Sequence, residues 1–334
     1  MTSLDETATI PVRKETLEAP KARGSMQRRL GWAGIALAAV ALALLLVAPF
    51  FVYPIFIMKV LCFALFATAF NLLLGYVGLL SFGHAAFFGG AAYFTAHAAK
   101  VWGLEPLSAI LRGAGGAGLM GLVVGALAIR RQGIEFAMVT LALSQMIFFI
   151  FLQAPFTNGE DGIQGVPRGH LLGLIDLGPT LNMYYFVLAV FVAGFFAVWR
   201  IVNSPFGHVL KAIRENVNRA ISLGYRVERY KLGAFVMSAT IAGLAGSTKA
   251  LVFQIATLTD VAWQMSGEVV LMTLLGGMGT IFGPTVGAAL VVTMQNYFAT
   301  SDIPVTVIIG IIFVLCVLLF RRGIVGEAIR LIKR

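Results

Sequence analysis

Six polar side chains stand inside long apolar stretches of this chain: Asn71, His84, Thr140, Gln145, Lys249 and Glu268. Polar groups are expensive in hydrocarbon, so each is a candidate either for lining a polar path or for tying helices together. Lys249 and Glu268 are the sharpest. They pair across neighbouring helices, or Lys249 snorkels toward an interface. His84 stands beside a glycine-rich break, where a histidine commonly serves a helix end. The chemistry on offer is hydrogen bonding and charge pairing, not bond making. The chain has no H-E-x-x-H, no G-x-S-x-G, no Cys/His ligand spacing for a metal, and no G-x-x-x-x-G-K-[ST] to cradle ATP phosphates. ATP-driven work would need an ATPase on another subunit. Cys62 and Cys316 sit in apolar runs and read as small buried hydrophobes, not as a disulfide or a zinc site.

The elements that hold these residues follow from composition. Hydrophobic residues make up 59% of the 334 and charged ones only 12%, with a mean hydropathy of +0.90, so the solvent must be mostly lipid. Residues 1–29 carry ten charges and no apolar run, and read as a disordered cytoplasmic tail, not a cleaved signal peptide. Beyond them, Leu30–Met58, Val60–Ala99, Phe136–Gly159, Leu177–Trp199, Val269–Ser301 and Ile303–Phe320 contain no charge. Glycine, proline and charge divide the chain into ten apolar elements, near 30–52, 54–77, 81–99, 109–129, 134–153, 181–201, 233–257, 264–282, 284–299 and 303–320. The expected fold is an all-α, polytopic integral membrane helical bundle. Its 81–99 and 284–299 elements are short enough to be half-helices packed inside protein.

A net charge of +10 would also suit nucleic-acid binding, but the basic residues fall by loop. With the N-terminus inside and strict alternation, 20 of the 25 Lys and Arg lie on the inner side, in the tail, the Arg130–Arg131 turn, the 200–232 loop and the 321–334 tail. That is the positive-inside pattern, and it predicts N-in, C-in. Eight crossings would also fit if one pair is re-entrant. Ala117, Gly121 and Gly125 form a small-residue stripe suited to close packing within the chain. Leu73–Gly78 echoes Leu274–Gly279, each followed by Phe-Gly, which hints at an internal repeat.

Seven basic residues lie in the 200–232 loop. Ser204 is placed to cap a helix whose first residue is Pro205, and Gly224 to stop it. Leu210, Ile213, Val217 and Ile221 would form one apolar face, with Lys211, Arg214 and Arg219 elsewhere. Such a helix either docks into a partner's groove or lies on anionic lipid.

Ser204-Pro205-Phe206-Gly207, then Ala212-Ile213-Arg214-Glu215-Asn216 and Leu223-Gly224-Tyr225, resembles the cytoplasmic loop of LivM-type branched-chain amino acid ABC permeases. Five further blocks agree in order: Asn71–Gly78 with Ser81–Ala85; Gly133-Ile134 with Phe136–Met138 and Thr140–Ala142; Asn158-Gly159 with Asp161-Gly162 and Gly165–Pro167; Tyr230–Leu232 with Ala242–Gly246; and Leu275–Thr280 with Gly283-Pro284. The resemblance covers about residues 60–290.

It implies a permease domain over 30–320, with 203–232 as the loop that couples to an ATPase subunit through Ser204, Pro205, Phe206, Gly207, Lys211, Arg214, Glu215, Arg219 and Gly224. It further implies a second related permease chain, two cytoplasmic ATP-binding subunits and a periplasmic solute-binding protein, in a bacterial inner membrane. The binding protein would dock near Asn158, Asp161 and Gln164. A urea or short-chain amide permease is similar in sequence, and a stand-alone secondary transporter is the other class to weigh. Two residues depart from the family pattern. Glu135 replaces an apolar residue and is placed to pair with the Arg130–Arg131 turn, and Lys249 replaces a small or apolar one.

Overall fold

Proline and glycine set most of the helix boundaries. The computed structural model describes residues 40–298 apart from 172 and 174, together with 307, 310, 311, 314 and 323–327, and between 40 and 298 the main helices follow in order. They are α1 (Val40–Phe50), α2 (Pro54–Tyr76), α3 (His84–Lys100), α4 (Pro106–Ala128), α5 (Gly133–Gln153), α6 (Thr180–Val202), α7 (Pro205–Glu215), α8 (Val217–Ser222), α9 (Val227–Phe253), α10 (Trp263–Gly276) and α11 (Gly283–Phe298). Helices α2, α4 and α7 begin on proline, where the missing N–H costs nothing. Five of them, α2, α4, α5, α6 and α9, are long and apolar enough to cross a membrane.

Helix α2 is predominantly apolar with no distinct polar face and is buried over most of its length, with Phe63, Phe66, Phe70 and Leu73 in the core. Helix α9 packs along α4, α3 and α2, while α6, α10 and α11 also pack on α2. The small-residue stripe of α4 makes the closest of these approaches possible. A Cβ at Gly121 would lie 2.5 Å from the Cβ of Ala239, and one at Gly125 2.9 Å from the Phe235 ring. The stripe is thus an intramolecular contact with α9. The outer faces are apolar and exposed, as at Leu119, Val123 and Leu127 on α4, Met138, Met146 and Ile150 on α5, and Val192 and Phe196 on α6. So continuous an apolar surface belongs against lipid.

Because α4 runs antiparallel to α9, the Arg130–Arg131 turn shares one end of the bundle with α7 and α8. The 154–179 segment lies at the other end, held by Arg168 Nη2 donating to Val252 O (2.9 Å) and Lys100 Nζ donating to Gln164 O (2.7 Å). There Ile163–Gln164 (β1) pairs antiparallel with Ile255–Ala256 (β4), and His170–Leu171 (β2) with Ile175–Asp176 (β3).

Three boundaries differ from expectation. Helix α10 stops at Gly276, not near 282, because Gly277 adopts φ 115°, leaving a 14-residue helix. At ~1.5 Å per residue it spans about 21 Å, short of a ~30 Å hydrocarbon core. Helix α9 begins at Val227, so the last residues of the 203–232 loop are already helical. The single helix expected after Ser204 is two helices, broken at Asn216. The 1–29 tail, Cys316, and most of the 303–320 and 321–334 segments lie outside the described residues.

Candidate translocation core and coupling face

Helix α3 begins inside the bundle. Its first residue, His84, is fully buried, with Nε2 2.9 Å from Ser238 Oγ near the middle of α9, and Ser238 donates to Ala69 O of α2 (2.6 Å). The edges of Phe70, Phe87 and Phe235 surround the imidazole. A helix start this deep has orphan N–H groups and no water to take them. Three hydroxyls do so: Thr140 of α5 accepts from Phe82 N (3.2 Å), Ser81 from Gly83 N (3.2 Å), and Ser266 of α10 from Ala85 N (2.9 Å). Ser144, one turn beyond Thr140, is buried with no hydrogen-bond partner for its hydroxyl, as is His84 Nδ1. Gln145 is half-buried beside it. His84 and Thr140 are thus brought together from the predicted set. Ser238, Ser266 and Ser144 join them, missed because isolated serines in apolar runs carry little signal by themselves.

Asn71 ties two helix ends together. Its Nδ2 donates to Thr280 O (2.8 Å), and its Oδ1 accepts from Gly279 N (2.9 Å). The two echoing segments therefore meet, and they are built alike. Gly78 (φ 80°) and Gly279 (φ 77°) occupy matching positions after α2 and α10, in a conformation that favours glycine. The glycine of each following Phe-Gly donates its N–H to an upstream hydroxyl, Ser81 or Thr280.

Lys249 and Glu268 do not pair. Lys249 Nζ lies 2.5 Å from both carboxylate oxygens of Asp260, whose side chain is 2% exposed and also accepts from Thr257 Oγ1 (3.1 Å). Glu268 instead accepts from Gln295 Nε2 of α11 (3.0 Å). The turn after α9 folds Asp260 back toward the lysine. That places a residue that reads as loop in the sequence inside the core. Gln254, at φ 56°, makes the reversal.

At the α7 end, Ser204 Oγ accepts from Gly207 N (3.3 Å), the N-cap that its type and position predict. Gly207 cannot carry a side chain, since a Cβ there would collide with the carbonyl oxygens of Val202 and Ile201. Phe206 stacks on Tyr230 (5.5 Å), anchoring the turn to α9. Asn216 Oδ1 accepts from Arg219 N (3.0 Å) and starts α8 in a new direction. Leu210, Ile213 and Ala220 are consequently buried, whereas Ile221 joins Leu223 and Tyr225 on the exposed side, off the face expected of it. Gly224 (φ 86°) ends the unit as expected. Arg214, Glu215 and Arg219 are all exposed, Lys211 lies over the Tyr76 ring (5.6 Å), and the Arg214 guanidinium donates to Gly75 O. Glu135 pairs with Arg131 (3.4 Å) on the exposed surface nearby. At the opposite end Asn158, Asp161 and Gln164 are all exposed on one loop.

Comparison with known proteins gives one consistent neighbourhood. The profile of the family described as branched-chain amino acid transport system / permease component matches residues 52–320. The high-affinity branched-chain amino acid transport system permease protein LivM of Salmonella typhimurium is 28% identical over 254 residues, covering 68% of this chain and 59% of the relative. The probable branched-chain amino acid transport permease protein LivM of Methanocaldococcus jannaschii is 28% identical over 190 residues, 54% of this chain and 53% of the relative. The autoinducer 2 import system permease protein LsrC of Salmonella typhimurium is 28% identical over 155 residues, 44% and 43% of the two chains. The chain thus spans about three-fifths of the length of the bacterial LivM relative. No solved structure matches.

Proposed function

The chain belongs to the branched-chain amino acid transport permease family, and from that premise we propose that it is the membrane-spanning subunit of an ABC importer carrying branched-chain or related amino acids. It works by alternating access and performs no covalent chemistry. A solute-binding protein delivers substrate at the end bearing Asn158, Asp161 and Gln164. ATP is bound and hydrolysed by two partner subunits at the α7–α8 end, and a second related permease chain completes the pathway. The chain sits N-in and C-in in a bacterial inner membrane, following the charge distribution.

The observation that carries this reading is the two-sided build of α7–α8. Its inner side is rooted in the bundle through Leu210, Ile213 and Ala220, while Ile221, Leu223 and Tyr225 are left exposed at the same end as the Arg130–Arg131 turn. A carrier working alone has no use for an apolar elbow of this kind. Similarity to an autoinducer 2 permease over a shorter span keeps other small polar solutes as the second reading for substrate.

The test is reconstitution of the chain with its second permease, ATPases and binding protein in proteoliposomes. Labelled leucine should accumulate only with ATP on the α7–α8 side and binding protein on the other. Uptake by this chain alone without ATP would overturn the importer assignment. Uptake of urea or a short-chain amide with none of leucine would replace the substrate.

A further inference from the structure

The α7 helix is fastened to two helix ends by one side chain. Arg214 Nη1 donates to Gly75 O in the last turn of α2. That carbonyl has no helical partner, because the N–H of Leu79, four residues on, turns back to Leu73 O (3.2 Å) together with those of Val77 and Gly78. A guanidinium there meets the negative end of the α2 dipole through a charge-assisted bond. Gly75 is also where the second helix end arrives. A Cβ on Gly75 would lie 2.6 Å from Gly279 N, and one on Gly279 would lie 3.1 Å from Arg214 Nη1 and 3.3 Å from Gly75 O. The stem of Arg214 crosses Gly78, where a Cβ would be 3.1 Å from its Cγ. Three glycines thus open the slot the arginine occupies, and Asn71 holds its two walls together.

We infer that Arg214 is a positioning residue that transmits movement of α7 to the α2 end and the α10–α11 turn, the two glycine-broken segments that flank the pathway candidates. The inference rests on the ABC-permease reading above. Arg214 and Arg219 have different roles, although both are basic residues of one loop. Both side chains are exposed over much of their surface, but Arg214 is tied by its guanidinium to Gly75 O of α2, while Arg219 lies on α8 and can face a partner. Lysine cannot replace Arg214 fully, because its compact ammonium lacks the planar guanidinium that lies between Gly75 O and Gly279.

The experiment uses the assembled, reconstituted transporter and measures transported substrate per ATP hydrolysed, alongside hydrogen exchange of segments 75–83 and 277–283 with and without nucleotide. Arg214→Ala should still bind the ATPase subunits and hydrolyse ATP, with transport per ATP falling on the order of tenfold, a typical size for coupling between sites. Arg214→Lys should fall between the two and lose most of the nucleotide-dependent change in exchange at both segments. It also provides the answer if the alanine variant does not fold. An unchanged transport-to-hydrolysis ratio in Arg214→Ala would overturn the inference. So would loss of ATPase binding, which would make Arg214 a docking contact. Full retention of the exchange response in Arg214→Lys would do the same. If the wild-type chain binds no ATPase subunit, it is the permease reading that fails.

Discussion

Replacing Lys249 by Met removes one half of an ion pair whose other half cannot reach water. Asp260 is 2% exposed and receives Lys249 Nζ at 2.5 Å on both oxygens, with Thr257 Oγ1 as the further side-chain donor among the described residues. Stripping one partner from such a pair costs about 3–5 kcal/mol, because the remaining charge is buried without compensation. Asp260→Asn alone should cost less, on the order of 1–3 kcal/mol. The Lys249 side chain is 13% exposed, against 2% for that of Asp260, so a lysine left alone is less completely enclosed than an aspartate left alone. The double variant should cost no more than Lys249→Met by itself, giving a coupling of about 1–3 kcal/mol in a double-mutant cycle. The measurement is equilibrium unfolding of the purified chain in detergent or bicelles, with all four proteins in the same medium. A parallel cycle of Lys249→Met with Glu268→Gln should be close to additive, since Glu268 is held by Gln295 instead. Additive losses in the first cycle, or a larger coupling in the second, would refute the assignment of Asp260 as the partner.

Three further outcomes follow from the same geometry. Asn71→Leu leaves Gly279 N–H and Thr280 O unpaired inside the bundle, at about 1–3 kcal/mol for each group; unfolding of the variant together with hydrogen exchange at 277–283 checks this. Gly121→Leu sets a branched side chain where even a Cβ would approach Ala239 Cβ to 2.5 Å; α4 and α9 must separate, and the yield of folded protein by size-exclusion chromatography should collapse. Ser204→Ala removes the cap on α7 and should cost ~1 kcal/mol of helix stability, read as faster exchange of the α7 amides, with membrane insertion unaffected.

Much of this fold was legible in the sequence because a bilayer leaves few choices. Charge-free runs have to be helices, prolines have to start them, and glycines with little else nearby have to end them. The Ser204 cap, the Gly224 stop and the Glu135–Arg131 pair are all local events, decided within one or two turns of chain. The likeness of Leu73–Gly78 to Leu274–Gly279 was visible as well, and both segments do end a helix on a left-handed glycine.

The residues that were misplaced were those whose partner is chosen by a fold-back. Asp260 lies beyond the apolar 233–257 stretch, and the reversal at Gln254 carries it back to Lys249, leaving Glu268 to Gln295. Ile221 fits an apolar helical face until Asn216 ends one helix and caps the next. Arg214 looks like one more positive charge on a cytoplasmic loop, and its type alone does not reveal that it bonds to Gly75 O of α2.

The sequence by itself determined that this chain is a membrane bundle with a basic end, and where most of its helices begin and stop. Those are consequences of hydrocarbon thickness, charge and backbone freedom, which act on each stretch separately. Tertiary structure alone decided that Thr140 and Ser266 reach the start of α3 from other parts of the chain, that Asn71 joins two glycine turns, and that Arg214 lies in the slot between them. Contacts across 58 to 209 residues depend on how close two backbones can come, and no single stretch of sequence contains that distance.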